Sequence, residues 1–68
     1  MEMFVVFGGY DYEGEDVIGV FADMASAQAC FEDEVADDDY DFIGIRAYQG
    51  RKYRQVIYQR LAEEEDFI

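Results

Sequence analysis

Apolar runs separated by glycine-rich or acidic stretches divide the chain into a small number of segments. The runs over residues 3–7, 17–21 and 42–48 are rich in Val, Ile, Phe and Tyr, and this composition predicts three strands. An acidic, turn-rich connection over residues 10–16 separates the first two runs. We therefore expect the first two strands to form a hairpin.

Between the second and third strands the apolar period changes to that of a helix. One apolar stripe recurs at i, i+4 and i+8 and consists of Ala27, Phe31 and Val35, with Cys30 alongside. The spacing predicts a helix over residues 24–36 whose stripe faces a sheet. Asp23 is the candidate N-cap of this helix.

The segment over residues 53–61 is compatible with two structures. Its apolar residues fit a helical spacing, but its content of Val, Ile and Tyr favours a strand. A helix here would begin on Arg51 and Lys52 and end on three glutamates, and both ends would oppose the helix macrodipole. We therefore predict a fourth strand.

These elements predict one α+β domain over residues 1–68 with the order ββαββ. Its four-stranded, mainly antiparallel sheet carries one helix packed on one face. The alternative is a helical last segment over Tyr53–Glu64. Residues 62–68 are expected to form a frayed acidic tail unless Phe67 and Ile68 fix it to the domain.

The charge of the chain is large and unevenly distributed. Its 17 acids and five bases give a net charge of −12, and residues 1–45 contain no base at all. All the bases fall between Arg46 and Arg60, and we predict that they pair with the protein's own acids. A charge of this size destabilises a small domain by self-repulsion, which suggests that the acids have a function.

Catalytic and metal-binding classes are poorly supported. The chain has no His, and its acid clusters lack the glycine and the bidentate acid of a calcium loop. Cys30 is the single cysteine, so no intramolecular disulfide can form, and its acidic surroundings should raise the thiol pKa. We expect Cys30 to be a small buried hydrophobe, and we predict no enzyme activity, cofactor or metal site.

The beginning of the chain resembles a known group of proteins. The segment Phe4-Val5-Val6-Phe7-Gly8-Gly9-Tyr10-Asp11-Tyr12-Glu13-Gly14, then Gly19-Val20-Phe21 and an Ala-rich helix, is similar to a family of very small phage and bacterial proteins. The likeness covers residues 3–46 and implies the ββαββ fold without an activity. In size, acidity and lack of catalytic residues the chain also resembles phage anti-CRISPR proteins that mimic DNA. Such proteins bind the DNA-recognition surface of a Cascade-type complex or a Cas nuclease.

The leading functional hypothesis is therefore a phage-encoded inhibitor in the host bacterial cytoplasm. It would occupy the DNA site of a basic DNA-binding protein or complex, with a CRISPR effector as the leading candidate. It would not itself bind nucleic acid or membrane. The acids of this surface are Asp11, Glu13, Glu15, Glu32, Asp33, Glu34, Asp37, Asp38, Asp39 and Asp41. The anchoring aromatic residues among them are Tyr10, Tyr12 and Tyr40.

The spacing of these acids suggests how they would imitate phosphates. In an extended segment the same-side carboxylates of residues 11, 13 and 15, or of residues 37, 39 and 41, would lie about 6.6–6.8 Å apart. Two other classes remain open. One is a small scaffold or regulatory module, monomeric or dimeric through a sheet face or edge, and the other is an ordinary protein of a salt-adapted host.

Overall fold

The protein folds as one antiparallel sheet with a single helix. The computed structural model describes residues 1–37 and 39–62. The elements in chain order are β1 (Met3–Tyr10), β2 (Gly14–Phe21), α1 (Met24–Asp37), β3 (Phe42–Gln49) and β4 (Lys52–Arg60). The strands lie in the order β2-β1-β3-β4, and each neighbouring pair is antiparallel. The predicted ββαββ architecture is confirmed.

The last segment is a strand, as its composition and charge polarity predict. β4 pairs with β3 from Lys52 to Arg60, so the helical alternative is wrong for this part of the chain. The remainder of that alternative, and the expected frayed tail, fall on residues 63–68, which lie outside the described residues.

Two hairpins supply the outer pairs of strands. The first turns over residues 11–13, where the N–H of Glu13 donates to the carbonyl of Tyr10 at 3.2 Å. The second turns at Gly50, whose φ of 64° is a left-handed value that favours glycine. β1 and β3 then pair in the centre of the sheet and join the two hairpins.

The helix covers one face of the sheet, which we call the helix-covered face. Its fully buried residues come from the central strands and from α1, namely Val6, Ile43, Ile45, Ala27 and Phe31. Phe4, Ile18, Phe21, Ile57 and Leu61 pack around them. The predicted stripe of α1 faces this core, with Cys30 only half-buried at its margin.

Asp23 caps the helix as predicted. Its carboxylate accepts a hydrogen bond from the N–H of Ser26 at 3.3 Å and another from the hydroxyl of Ser26 at 2.8 Å. An N-cap carboxylate satisfies a backbone donor that has no partner within the helix. The helix consequently begins at Met24.

The opposite face, which we call the open face, has no helix over it but still buries an aromatic ring. Phe7 lies against Gly44, where an added Cβ would stand 2.6 Å from Cζ of the ring. Phe42 lies in the same way against Gly9, with 2.5 Å between the corresponding atoms. Phe7 is only 1% exposed, because the strand glycines leave space for the two rings.

Both edge strands contain an extra residue relative to their neighbours. On β2 the register against β1 shifts at Ile18, and on β4 the register against β3 shifts at Val56. Such β-bulges bend a strand and disrupt the ladder that another chain would extend. The sheet edges are therefore poor sites for pairing with further strands.

Candidate partner-binding surface at the acidic end of the sheet

Topology brings most of the predicted acids to one end of the sheet. The C-terminal end of β1, the first hairpin turn, the C-terminus of α1 and the N-terminal end of β3 all lie there. We call this region the acidic end, and its described acids are Asp11, Glu13, Asp16, Glu34, Asp37, Asp39 and Asp41.

Asp41 fastens the acidic end together. Its N–H donates to the carbonyl of Gly9 at 2.8 Å, and its own carbonyl accepts from the N–H groups of Leu61 and Ala62 at 2.8 and 3.1 Å. Its carboxylate accepts from the N–H of Asp11 at 3.0 Å. Asp41 thus joins the first turn, the start of β3 and the end of β4, so it is a structural residue as well as a charged one.

The carboxylate of Asp11 is also used within the protein. It accepts a hydrogen bond from the guanidinium of Arg60 at 2.5 Å, which links the first turn to the end of β4. Pairing halves the negative charge that these two aspartates present, because one of them is neutralised by Arg60. Asp11 and Asp41 therefore hold the turn in place.

Tyr40 lies at the acidic end and is influenced by three further acids. Its ring packs on Gly8, where an added Cβ would lie 2.8 Å from Cγ of the ring, and on Tyr10 with ring centroids 5.5 Å apart. Burial raises the pKa of the Tyr40 hydroxyl, and the nearby charges of Glu34, Asp16 and Asp39 raise it further. These three carboxylates, from three different elements, therefore act on one aromatic side chain.

Asp16 was not among the acids predicted for the site. It lies on β2 opposite Gly8, on the side of the sheet where Tyr40 packs. The signal that could have identified it is the pairing of Asp16 with a strand glycine that leaves room for a ring. That signal depends on the hairpin register, which here is set by the turn over residues 11–13.

The other two predicted tyrosines differ sharply in exposure. Tyr12 lies in the first turn and is 99% exposed, whereas Tyr10 is 36% exposed because it contacts Tyr40. Glu13 is exposed beside Tyr12. A fully exposed tyrosine flanked by acids is the kind of side chain that a partner could bury on binding.

Glu15 lies near the same end of the sheet but on the open face. Its carboxylate receives two hydrogen bonds from the guanidinium of Arg46, at 2.5 and 2.9 Å, on the open face. The hydrogen bond from Arg46 lowers the pKa of Glu15 against the opposing effect of burial. The guanidinium lies over the ring of Phe7 at 3.9 Å from its centroid, so this ion pair covers an aromatic side chain.

The remaining predicted acids are distributed along the helix and its C-terminal loop. Glu32, Asp33 and Asp37 are on α1 and exposed, and Asp39 is exposed in the loop. Asp38 lies outside the described residues. The expected extended spacing of carboxylates is wrong, because residues 11–13 form a turn and Asp37 belongs to the helix.

The prediction that the bases pair with internal acids is confirmed at three positions. Besides the pairs made by Arg46 and Arg60, Arg54 lies 3.3 Å from the carboxylate of Glu2. Arg51, Lys52 and Arg54 belong to the β3–β4 hairpin, at the end of the sheet opposite the acidic end. The domain is consequently polarised along its strands.

Comparisons with known proteins add no family. No protein-family model, curated protein or solved structure matches the chain. In the described residues, no three Cys, Asp or Glu side chains converge in an arrangement that could hold a metal ion. No helix within residues 1–37 and 39–62 has the length and hydropathy needed to cross a membrane.

Proposed function

We propose that the protein is a phage-encoded inhibitor whose acidic end imitates DNA and blocks the DNA site of a basic partner in the host bacterial cytoplasm. A CRISPR effector, of the Cascade type or a Cas nuclease, is the partner class that fits this proposal best. The observation that carries the proposal is that the fold brings the first hairpin turn, the C-terminus of α1 and the start of β3 to one end of the sheet, so that Asp16, Glu34 and Asp39 share that end with Tyr40.

The elements that carry these three acids are held in fixed positions, which suits the acids to a groove that binds phosphates. The three acids stand on β2, α1 and the loop before β3, and Asp41 holds that loop to the sheet. Carboxylates held on a rigid frame lose little conformational entropy when they meet Lys and Arg side chains. Electrostatic complementarity of this kind speeds association and selects the partner.

The aromatic residues supply what charge alone lacks. Tyr12 is almost fully exposed, and the rings of Tyr40 and Tyr10 contact each other in a tilted arrangement. Aromatic side chains contribute a large share of binding energy in protein interfaces, while exposed charges chiefly set the rate and the partner. The proposed surface therefore combines acids for recognition with Tyr12 as an anchor.

The test compares binding of charge-matched variants to purified CRISPR effector complexes. One variant carries Asp16→Asn, Glu34→Gln and Asp39→Asn, which leave Asp11, Asp41 and their hydrogen bonds intact. The control carries Ala25→Lys, Gln28→Lys and Ala29→Lys, three exposed positions on the N-terminal half of α1. Both change the net charge by three units, so a difference between them reports position rather than total charge.

We expect the first variant to bind at least about tenfold more weakly than the wild-type protein. Added salt should also reduce its affinity less than it reduces that of the wild type. The control should retain most of the affinity. Competition with target DNA then separates mechanisms, because a captured effector that still binds DNA is inhibited at a later step. Equal affinity of the two variants would contradict a contact at the acidic end, and failure of the wild-type protein to bind any of the purified effectors would contradict the proposed partner class.

A second candidate function has one observation in its favour. The open face presents apolar and aromatic side chains to solvent, as expected of a small scaffold or regulatory module that uses a sheet face for contacts.

A salt-adapted protein is distinguished by its own behaviour: it would unfold at low ionic strength and refold in molar salt. Cooperative folding in dilute buffer would remove that reading.

A further inference from the structure

The open face combines exposed apolar side chains with an absence of net charge. Val17, Val20 and Tyr53 are 65%, 53% and 59% exposed, and Tyr58 is 47% exposed. We propose that this face binds the same face of a second copy of the chain, forming a two-layer sandwich of two sheets with the helices outside. The proposal does not rest on the function proposed for the acidic end.

Charge is the first reason to choose a second copy as the occupant. Two molecules with a net charge of −12 repel each other unless they meet where charge is balanced. On the open face the Arg46 guanidinium is paired with Glu15, and the Arg60 guanidinium with Asp11. Both ion pairs balance charge on this face, so it is a face that two copies can bring together.

The polarity of the molecule then selects one orientation. A two-fold axis parallel to the strands would bring the two acidic ends together. A two-fold axis in the interface and perpendicular to the strands instead places each β3–β4 hairpin, with Arg51 at its turn, over the acidic end of the other copy. Opposite charges meet in this second arrangement, and like charges are kept apart.

The sheet edges favour a face over an edge for this contact. Both edge strands carry β-bulges, at Ile18 and Val56, which disturb the ladder that a second copy would have to continue. The face has no such obstacle, and two sheets pack face to face at a separation of about 10 Å. The aromatic residues along β4 and the valines along β2 provide its two flanks.

The size of the face sets the expected strength. Strands of about eight residues at about 3.4 Å per residue, four abreast at about 4.8 Å, give a face of roughly 500 Å². A standard interface buries about 800 Å² on each partner, so this contact belongs to the weaker class. We expect a dimer that dissociates in the micromolar range rather than an obligate one.

Sedimentation equilibrium of the full chain at about 0.15 M salt, from about 1 µM to 1 mM, tests the proposal. Val20→Lys places a charge in the proposed interface, while the control Ala29→Lys places the same charge on the exposed side of α1. Each lowers the net negative charge by one, so weaker association of Val20→Lys cannot come from added repulsion. Circular dichroism confirms that both variants fold.

We expect the mass to rise toward twice the monomer value with concentration. Val20→Lys should weaken association about tenfold or more, and Ala29→Lys should leave it unchanged or slightly tighter. Arg51→Glu should weaken it by about threefold if the hairpin meets the acidic end. A monomer throughout the range, or a dimer weakened by Ala29→Lys and not by Val20→Lys, would overturn the proposal, and a dimer insensitive to Arg51→Glu would overturn its orientation.

Discussion

The helix-covered face and the open face of the same sheet each bury a phenylalanine by different means. Phe31, under the helix, is 7% exposed, and Phe7, on the face without a helix, is 1% exposed. The first is enclosed by aliphatic side chains from α1 and the strands. The second is enclosed by Gly44, the ring of Phe42 and the guanidinium of Arg46.

This difference shows that a single-layer sheet can bury a large ring without a second layer. Two strand glycines provide the space, and a charged side chain whose stem lies along apolar surface provides the cover. The partner acid of that cover, Glu15, is fixed by two hydrogen bonds. Five substitutions distinguish the two faces, in decreasing order of expected effect.

Phe7→Ala should have the largest effect. Removing a fully buried ring costs about 3–5 kcal/mol of unfolding free energy, as for a residue of the main core. Phe7→Leu, the matched control, should cost less than about 2 kcal/mol because it leaves a smaller cavity. Urea unfolding measures both, and a loss below about 1 kcal/mol for Phe7→Ala would mean that the open face does not behave as a core.

Gly44→Ala should cause the second largest loss of unfolding free energy. The added Cβ would lie 2.5 Å from the carbonyl oxygen of Ile57 and 2.6 Å from the Phe7 ring, so backbone or ring must move. Such overpacking costs about 1–3 kcal/mol. Gly50→Ala serves as a comparison, because it meets no atom within 4 Å and pays only for its left-handed φ. Thermal unfolding of the two variants separates steric cost from conformational cost.

Asp23→Ala tests the helix-covered face through the helix alone. Loss of an N-cap typically costs about 1 kcal/mol, and Asp23→Ser should recover most of it because serine also caps well. Helical ellipticity and unfolding free energy should both fall in the alanine variant. Equal stability of the alanine and serine variants would show that the two hydrogen bonds to Ser26 contribute nothing.

The Arg46–Glu15 pair should contribute less, about 1 kcal/mol or under, because both side chains are partly exposed. The hydrogen bond from Arg46 lowers the pKa of Glu15 in the folded protein, so the contribution is complete above the usual carboxyl pKa. It is lost as pH falls through the lowered folded value. The stability difference between wild type and Glu15→Gln should therefore shrink between about pH 6 and pH 3.

In an Arg46→Gln background, the change in unfolding free energy caused by Glu15→Gln should not depend on pH. A difference that does not shrink as the pH falls would assign the loss in Glu15→Gln to packing rather than to the ion pair. The two measurements together form a double-mutant cycle for the cover of Phe7.

The smallest effect concerns the thiol at the margin of the helix-covered face. Burial raises the pKa of Cys30, and the charges of Glu34 and Asp33 raise it further. Alkylation at pH 7.5 should therefore be slower than for a small free thiol and faster after Glu34→Gln. A rate equal to that of the free thiol, measured under native conditions, would contradict this environment.

Local patterns were sufficient to predict most of the fold. The β-rich runs, the stripe through Ala27 and Phe31, and the capping Asp23 each depend on residues close in sequence. For β4 the apolar spacing alone was ambiguous, and the polarity of the flanking charges decided correctly for a strand. The predicted first hairpin is likewise present, but its connection is only residues 11–13, because Tyr10 and residues 14–16 belong to the paired strands.

The candidate site was predicted less completely because it depends on register. The sequence indicates which residues are acidic, but not that Asp11 and Glu15 are paired with Arg60 and Arg46. Nor does it indicate that Asp16 stands near Tyr40, since this depends on the hairpin register and on the packing of Tyr40 against Gly8. Extended spacing was assumed for acids that the chain places in a turn and at a helix end.

The strand order has a consequence for how the chain folds. The outer pairs, β1 with β2 and β3 with β4, connect residues that are near in sequence, whereas the central β1–β3 pair must close a loop that includes the whole helix. Closing that loop carries the larger entropy cost, so we expect the hairpins to form early and the central ladder to complete late. Weakening β1–β3 contacts should slow folding, while weakening the edge strands should mainly speed unfolding.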